Sequence, residues 1–158
     1  MNKQTEYQNI FDKVIKFATL RPRSIKEIED YFNRKKIVKG VRKQLFNKLK
    51  ILGLVDDKEF ARWWVDQRLT FRPKGERLLR NELRIKGISE DIISTVFEEK
   101  NVINEQKKIA TNIMSKKVNQ YNNLPMNKAR KRAYSLLLRR GFDWDIAREV
   151  IDEFLDKK

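Results

Sequence analysis

The sequence predicts an all-α protein, an elongated array of three tandem three-helix repeats that curves to the right or to the left. Three observations carry that expectation. Proline (3) and glycine (5) are scarce among 158 residues, too few for the many tight turns of an all-β fold. Apolar residues make up 40% of the chain and charged residues 37%, so the core must lie along narrow stripes. Three segments also align without gaps: RSIKEIEDYFNRKKI (Arg23 to Ile37), KGERLLRNELRIKGI (Lys74 to Ile88) and KARKRAYSLLLRRGF (Lys128 to Phe142).

The first repeat, placed at 1–54, opens with a helix over about 5–20. A second helix starts at Ser24, where Ser24 and Glu27 spell an S-x-x-E capping box. Its buried stripe is Ile28 and Phe32, four residues apart on one face. A third helix carries Ile37, Val41, Leu45 and Leu49 at the same spacing. The second repeat, 55–102, copies this plan. It has a leading helix over 57–70 with Asp57 as N-cap, a middle helix on Leu79 and Leu83, and a third on Ile88, Ile92 and Val96. Lys100 takes the next register position, so this helix ends early. The third repeat, 103–158, has a leading helix over 103–120 and a middle helix on Ala133 and Leu137. Its last helix carries Phe142, Ile146, Val150 and Phe154 behind an Asp143 cap. The count is nine helices. Gly87 and Gly141 stand where a left-handed residue closes a helix, while Lys36 holds that place in the first repeat and must accept strain or form another turn. One such unit buries too little apolar area to be comfortably stable, and stacking neighbours extends the core into a rod.

Composition removes several function classes. Cysteine is absent, so there are no disulfides and no thiolate chemistry. Histidine is absent too, and with it the commonest general base and metal ligand. The expectation is a non-enzyme without cofactor, metal or small-molecule substrate. No 18 apolar residues run together and the N-terminus has no apolar signal core, so a soluble, cytoplasmic protein is expected, without membrane partner.

The net charge is +15. Such an excess strains a compact monomer by self-repulsion, and a polyanion is the usual reason for it. The charge is uneven. Residues 34–50 carry eight basic groups and no acid, and residues 107–140 carry ten and no acid. Residues 62–86 carry eight basic against three acidic, whereas 87–106 and 141–158 are acid-rich. Regular stacking would sort this alternation into one positive and one more neutral surface.

The stretch from Leu54 to Ile88 reads LVDDKEFARWWVDQRLTFRPKGERLLRNELRIKGI. Asp56, Asp57, Phe60, Ala61, Trp64, Val65 and Arg68, followed by Gly75, Leu79, Glu82, Leu83, Lys86, Gly87 and Ile88, resemble the central repeat of the RecX family. The first repeat adds Ala18, Leu20, Arg21, Arg23, Ser24, Glu27 and Ile28 to that resemblance, and the third matches only by its helix pattern and final R-x-G. Most of these residues have structural explanations first. Phe60, Ala61, Trp64, Leu79 and Leu83 fit core positions, Asp56 and Asp57 are both expected to cap, Glu82 is placed to pair with Lys86, and Gly75 permits a turn or a close helix approach.

The resemblance implies a regulator of DNA repair and homologous recombination in the SOS response. Its partners would be the RecA filament and single-stranded DNA, and its effect would be inhibition of RecA's ATPase and strand exchange from the filament groove. A monomer is expected. The contact candidates are the exposed cations. Arg68, Arg72, Lys74, Arg77, Arg80 and Arg84 cluster in the second repeat, and Lys128, Arg130, Lys131, Arg132, Arg139 and Arg140 in the third. Arg77, Arg80 and Arg84 share one helical face by spacing. Trp63, beside the core Trp64, is placed in an inter-repeat seam or free to stack on a base or partner. The rival readings are a stand-alone helix-turn-helix-like DNA-binding regulator, a magnesium nuclease using Asp56, Asp57 and Glu59, and a plain helical adaptor.

Overall fold

The computed structural model describes residues 2–156; Met1, Lys157 and Lys158, at the outer edges of the first and third expected repeats, lie outside the described residues. Ten helices follow in order: α1 (Lys3–Leu20), α2 (Ile25–Arg34), α3 (Lys39–Ile51), α4 (Asp57–Phe71), α5 (Glu76–Ile85), α6 (Glu90–Glu99), α7 (Gln106–Ser115), α8 (Val118–Tyr121), α9 (Met126–Arg139) and α10 (Trp144–Leu155). Among the described residues there is no strand. The tenth helix corrects the expected nine. The leading helix of the third group starts at Gln106 rather than 103, because Asn101 to Glu105 form turns. It then breaks at Lys116–Lys117 before the single turn of α8, and the break lets Tyr121 join the third core.

The helix starts follow side-chain chemistry. Ser24 and Glu27 form the expected reciprocal capping box on α2. The cap of α4 is Asp56, not Asp57: its Oδ1 accepts from the N–H groups of Lys58 (2.9 Å) and Glu59 (3.2 Å). Asp57 is already helical, and its Oδ1 accepts from the Ile25 N–H at 2.8 Å, capping the helix of the preceding repeat instead. Burial raises the Asp57 carboxyl above its ordinary range, opposed by that bond. Asp143 holds the N-cap position of α10, yet its side chain makes no capping bond.

Five helices end in one way. The sixth residue's N–H bonds the first residue's carbonyl across Phe32–Ile37, Leu49–Leu54, Leu83–Ile88, Phe97–Val102 and Leu137–Phe142. Each pair is apolar, so the hydrogen bond and the hydrophobic contact close the same turn. The left-handed residue inside each is Lys36 (φ 54°), Gly53 (70°), Gly87 (80°), Asn101 (55°) or Gly141 (93°). Lys36 therefore takes the strained conformation rather than another turn, at a cost of about 1 kcal/mol.

The core is three clusters in chain order. The first gathers Val14, Ala18, Ile28, Phe32, Leu45 and Leu49, the second Phe60, Val65, Leu79, Leu83, Ile93 and Phe97, and the third Ala110, Met114, Ala133, Leu137, Val150 and Ile151. The positions aligned across the repeats (Ile28, Leu79, Ala133; Phe32, Leu83, Leu137; Ile37, Ile88, Phe142) are all buried, while Val41, Ile92, Ile146 and Phe154 of the third-helix stripes are half-buried. The chain exposes 10189 Å² at 19.1 kDa, where a compact monomer of that mass exposes about 8,400 Å². That excess is the signature of an extended array of small units. Among the described residues no helix is long and apolar enough to cross a membrane.

Candidate functional site

The middle helices meet end to end, and the same joint occurs twice. At the first joint, Lys26 Nζ donates to the Ile85 carbonyl at 3.0 Å, and the Lys26 stem lies against Gly87. At the second, Arg77 Nη2 donates to the Leu138 carbonyl at 2.8 Å, and Leu78 lies against Gly141. Each joint thus brings the N-terminal turn of one middle helix to the closing turn of the next, opposite ends of two helix dipoles. The next repeat's leading helix adds a cap: Asp57 on Ile25 at the first joint, and Gln106 Oε1 on the Glu76 N–H (2.7 Å) at the second. The second joint is tighter. Gly75 N–H donates to the Arg140 carbonyl at 2.6 Å, and a Cβ on Gly75 would stand 2.3 Å from the backbone of Gly141.

The basic side chains expected to touch a partner divide by what holds them. Glu82 gathers three neighbours of α4 and the following linker. Trp64 Nε1 (2.8 Å) and Arg68 Nε (3.0 Å) donate to one carboxylate oxygen, and Lys74 bonds the other. Burial would raise the Glu82 carboxyl, but the hydrogen bonds from Lys74 and Trp64 and the two positive charges outweigh it and hold the group low. The expected Glu82–Lys86 pair does not form; Lys86 approaches Glu27 of the first repeat at 3.8 Å instead. Trp64 is half-buried rather than fully in the core, its ring faced by Arg68 and Lys86.

Arg80 bonds Glu76 and Glu90 at 3.0 Å each and lies over Phe97, and Arg84 shares Glu90. Arg77 is exposed but anchored on the second joint. The face formed by Arg77, Arg80 and Arg84 is thus tied into the chain along its length. Arg130 pairs with Asp152 and Asp156 of α10 and its neighbouring turn. Arg139 is exposed and reaches the Ser135 carbonyl at 3.3 Å. Lys128, Lys131 and Arg132 are exposed on α9 and, among the described residues, make no ion pair. Trp63 is half-buried in the seam of the first and second repeats, with Arg21 over its ring at 5.4 Å.

The acid-rich third helices neutralise cations of their own repeats. Arg62 and Lys58 of α4 both bond Glu99, whose carboxyl is pulled down to about 2, chiefly by the Arg62 hydrogen bonds. Lys107 of α7 bonds Glu149 and Glu153 of α10 in the same way. The charge alternation along the chain is therefore partly cancelled inside each unit.

Two concavities flank the second joint. One, of about 450 Å³, brings Arg77, Arg84 and Arg139 together around Asn81. The other, of about 510 Å³, brings Arg72, Lys74 and Arg140 to Lys116 and Lys117 at the end of α7, with Phe71 at its edge. Phe71, Lys116 and Lys117 were not among the contact candidates read from the sequence. A signal existed: Lys116–Lys117 is an adjacent pair in the acid-free run 107–140, and Phe71 follows Leu69 by two positions, about 200° round the helix. Asp56, Asp57 and Glu59, considered for magnesium, serve as a cap, a cross-repeat cap and a partner of Arg62.

Fold and joints define an all-α tandem-repeat protein whose three small units are locked through their middle helices and present cationic hollows at a seam. Two sequence models match in chain order: the second three-helix domain of RecX over residues 56–96, and the third three-helix domain of RecX over residues 105–151. The chain belongs to the RecX family. It is 32% identical over 154 residues to the regulatory protein RecX of Chlorobium phaeobacteroides, covering 94% of this chain and 95% of that one. It is 29% identical over 146 residues to the regulatory protein RecX of Bacillus pumilus, covering 92% of this chain but 55% of the relative. The chain thus spans about half the length of the Bacillus protein. Among solved structures, RecX from Lactobacillus salivarius superimposes with a TM-score of 0.81 at 23% identity, covering 98% of this chain and 99% of that one, a likeness of fold.

Proposed function

We propose that this chain modulates RecA by lying along the groove of the RecA–single-stranded DNA filament, where it slows ATP hydrolysis and strand exchange. The observation that carries the reading is the repeated joint. Two near-equivalent end-to-end contacts between middle helices make three small bundles one long body, and a long body can bridge successive subunits of a helical polymer. No catalytic group is required: the chain acts by binding one filament state better than another. This places it in the regulation of DNA repair and recombination, in the cytoplasm, as a monomer.

Of the candidate cations, Arg72, Lys128, Lys131, Arg132 and Arg139 suit filament contact best, being exposed, without a carboxylate partner among the described residues and, unlike Arg77, not anchored across the second joint. Arg68, Lys74, Arg80 and Arg130 hold the fold first. The test is RecA's DNA-dependent ATPase with added purified chain. Slowing is expected at near-stoichiometric amounts, and the Lys128→Ala/Lys131→Ala/Arg132→Ala variant is expected to slow it less at unchanged helicity. An unaffected ATPase overturns the proposal. Sequence-selective duplex binding without RecA would instead favour the stand-alone DNA-binding reading.

A further inference from the structure

The middle helix α2 meets the second repeat at its N-terminal turn, through Ile25 and Lys26, so its closing turn, residues 35–38, is a free end of the array. There it faces α1 across a hollow of about 270 Å³. Val14, Tyr31 and Ile37, all buried, line this hollow with half-buried Ile10, and Val38, 69% exposed, stands at its rim. Lys13, Lys35 and Lys36 surround it, exposed and, among the described residues, without an ion pair. Its one acid, Glu6, sits in the first turn of α1, where the helix dipole favours it.

Two of these residues depart from what their turn prefers, as the other repeats make plain. Lys36 stands where the second and third repeats have Gly87 and Gly141, and it holds φ 54°, a conformation that glycine adopts freely and lysine does not. The dipole of α2 favours a cation at its C-terminus, but Arg34 and Lys35 already supply two on ordinary backbone. Val38 stands where Ser89 caps α6 by accepting from the Ile92 N–H at 3.4 Å; it is the N-cap of α3 and has no side-chain acceptor. Helix stability therefore explains neither the third cation nor the exposed valine, yet both line one hollow. Departures from local preference that converge on one place mark a functional surface.

We propose that this hollow docks an acidic segment of a partner protein by one large apolar side chain. The anchor would fill the space between Ile10, Val14, Ile37 and Val38, and carboxylates on either side of it would pair with Lys13, Lys35 and Lys36. The volume lies just below the range of about 300–1,000 Å³ typical of small-molecule sites, which suits a single side chain. A nucleic acid fits less well: Tyr31 is buried and already stacked on Phe17 at 4.2 Å, so no ring face is open to a base. The acid-free run 34–50 around the turn would steer an acidic segment toward it before contact. Docking here needs neither RecA nor DNA, so it is measured on the chain alone and does not rest on the filament reading.

The experiment is fluorescence anisotropy of the full chain with a labelled synthetic peptide of glutamates around one central phenylalanine. A second peptide, with serine in place of the phenylalanine, is expected to bind about tenfold more weakly, having lost the anchor. Val38→Ser keeps the charge and supplies the missing cap. It is expected to weaken the phenylalanine peptide about fivefold and leave the serine peptide unaffected, at an unchanged or higher thermal midpoint. Lys36→Gly relieves the backbone and is expected to weaken both peptides about two- to fivefold, also without loss of stability. Lys50→Ala removes an exposed cation about 18 Å along α3 from Val38, beyond the screening length of ~8 Å, and should leave affinity unchanged.

Failure of the wild-type chain to bind the phenylalanine peptide overturns the proposal, as does equal binding of the two peptides, a comparison that needs no variant. So does a Val38→Ser protein that binds the phenylalanine peptide as wild type does. A loss from Lys50→Ala as large as that from Lys36→Gly overturns the site, since binding would then be diffuse charge. Displacement by unlabelled oligo-dT as ready as that by unlabelled peptide overturns the protein assignment. None of these results touches RecA's ATPase, the readout of the filament reading.

Discussion

Replacing Gly75 by alanine adds one methyl group at the point where the second and third repeats touch. That Cβ would stand 2.3 Å from both the carbonyl carbon and oxygen of Gly141 and 2.6 Å from the Phe142 nitrogen, all backbone atoms that cannot rotate away. Ordinary contact lies beyond 3.4 Å, so the joint must open by about 1 Å. At that separation the Gly75–Arg140 bond (2.6 Å), the Arg77–Leu138 bond (2.8 Å) and the Arg140–Pro73 bond (3.4 Å) are lost or badly stretched. At about 1 kcal/mol net each, these contacts are worth ~3 kcal/mol. That sets the scale of uncoupling between the repeats. Urea unfolding followed by circular dichroism is expected to be a single transition in the wild type and to split or broaden in Gly75→Ala, the third repeat melting on its own. The comparison is Gly40→Ala within α3, where an added Cβ meets nothing within 4 Å; there stability should rise by about 0.5–1 kcal/mol. A Gly75→Ala protein with wild-type midpoint and slope would refute the tight joint, and with it the long-body argument.

Two further outcomes follow from single positions. Lys36 sits at φ 54° closing α2, so Lys36→Gly should raise stability by about 1 kcal/mol, read as an upward shift of the thermal midpoint, whereas a fall would show that the lysine stem contributes contacts worth more than the strain. Glu82 is held below its ordinary 4.5 in the folded chain, so its contribution is full above pH 4.5 and is lost as pH falls through the folded value. Glu82→Gln should therefore be less stable than wild type at pH 7 and lose less stability on acidification, followed by tryptophan emission beside Trp64; parallel pH profiles would contradict this.

Nine of the ten helices, their order and their buried stripes are legible in the amino-acid sequence, whereas the break that sets off α8 is not. Ile28, Leu79 and Ala133 fell into one register because burial on a helix recurs every three to four residues, and that period is written locally. The closing turns were legible at Gly87 and Gly141 for the same reason. Asn101 escaped, since a single asparagine in the left-handed conformation leaves no pattern, and the turn it opens delayed α7. Asp57 was misplaced because Asp56 and Asp57 are equally good caps in sequence; only the neighbouring repeat, whose Ile25 N–H needed an acceptor, decided between them. Glu82 likewise had a local partner in Lys86 and took distant ones, since Trp64, Arg68 and Lys74 come from elements that meet only after packing. The cationic run 107–140 was visible as charge. Which of its members lie free in a hollow and which are tied to acids was decided by the third dimension, because pairing depends on through-space distance and the composition records only the sum.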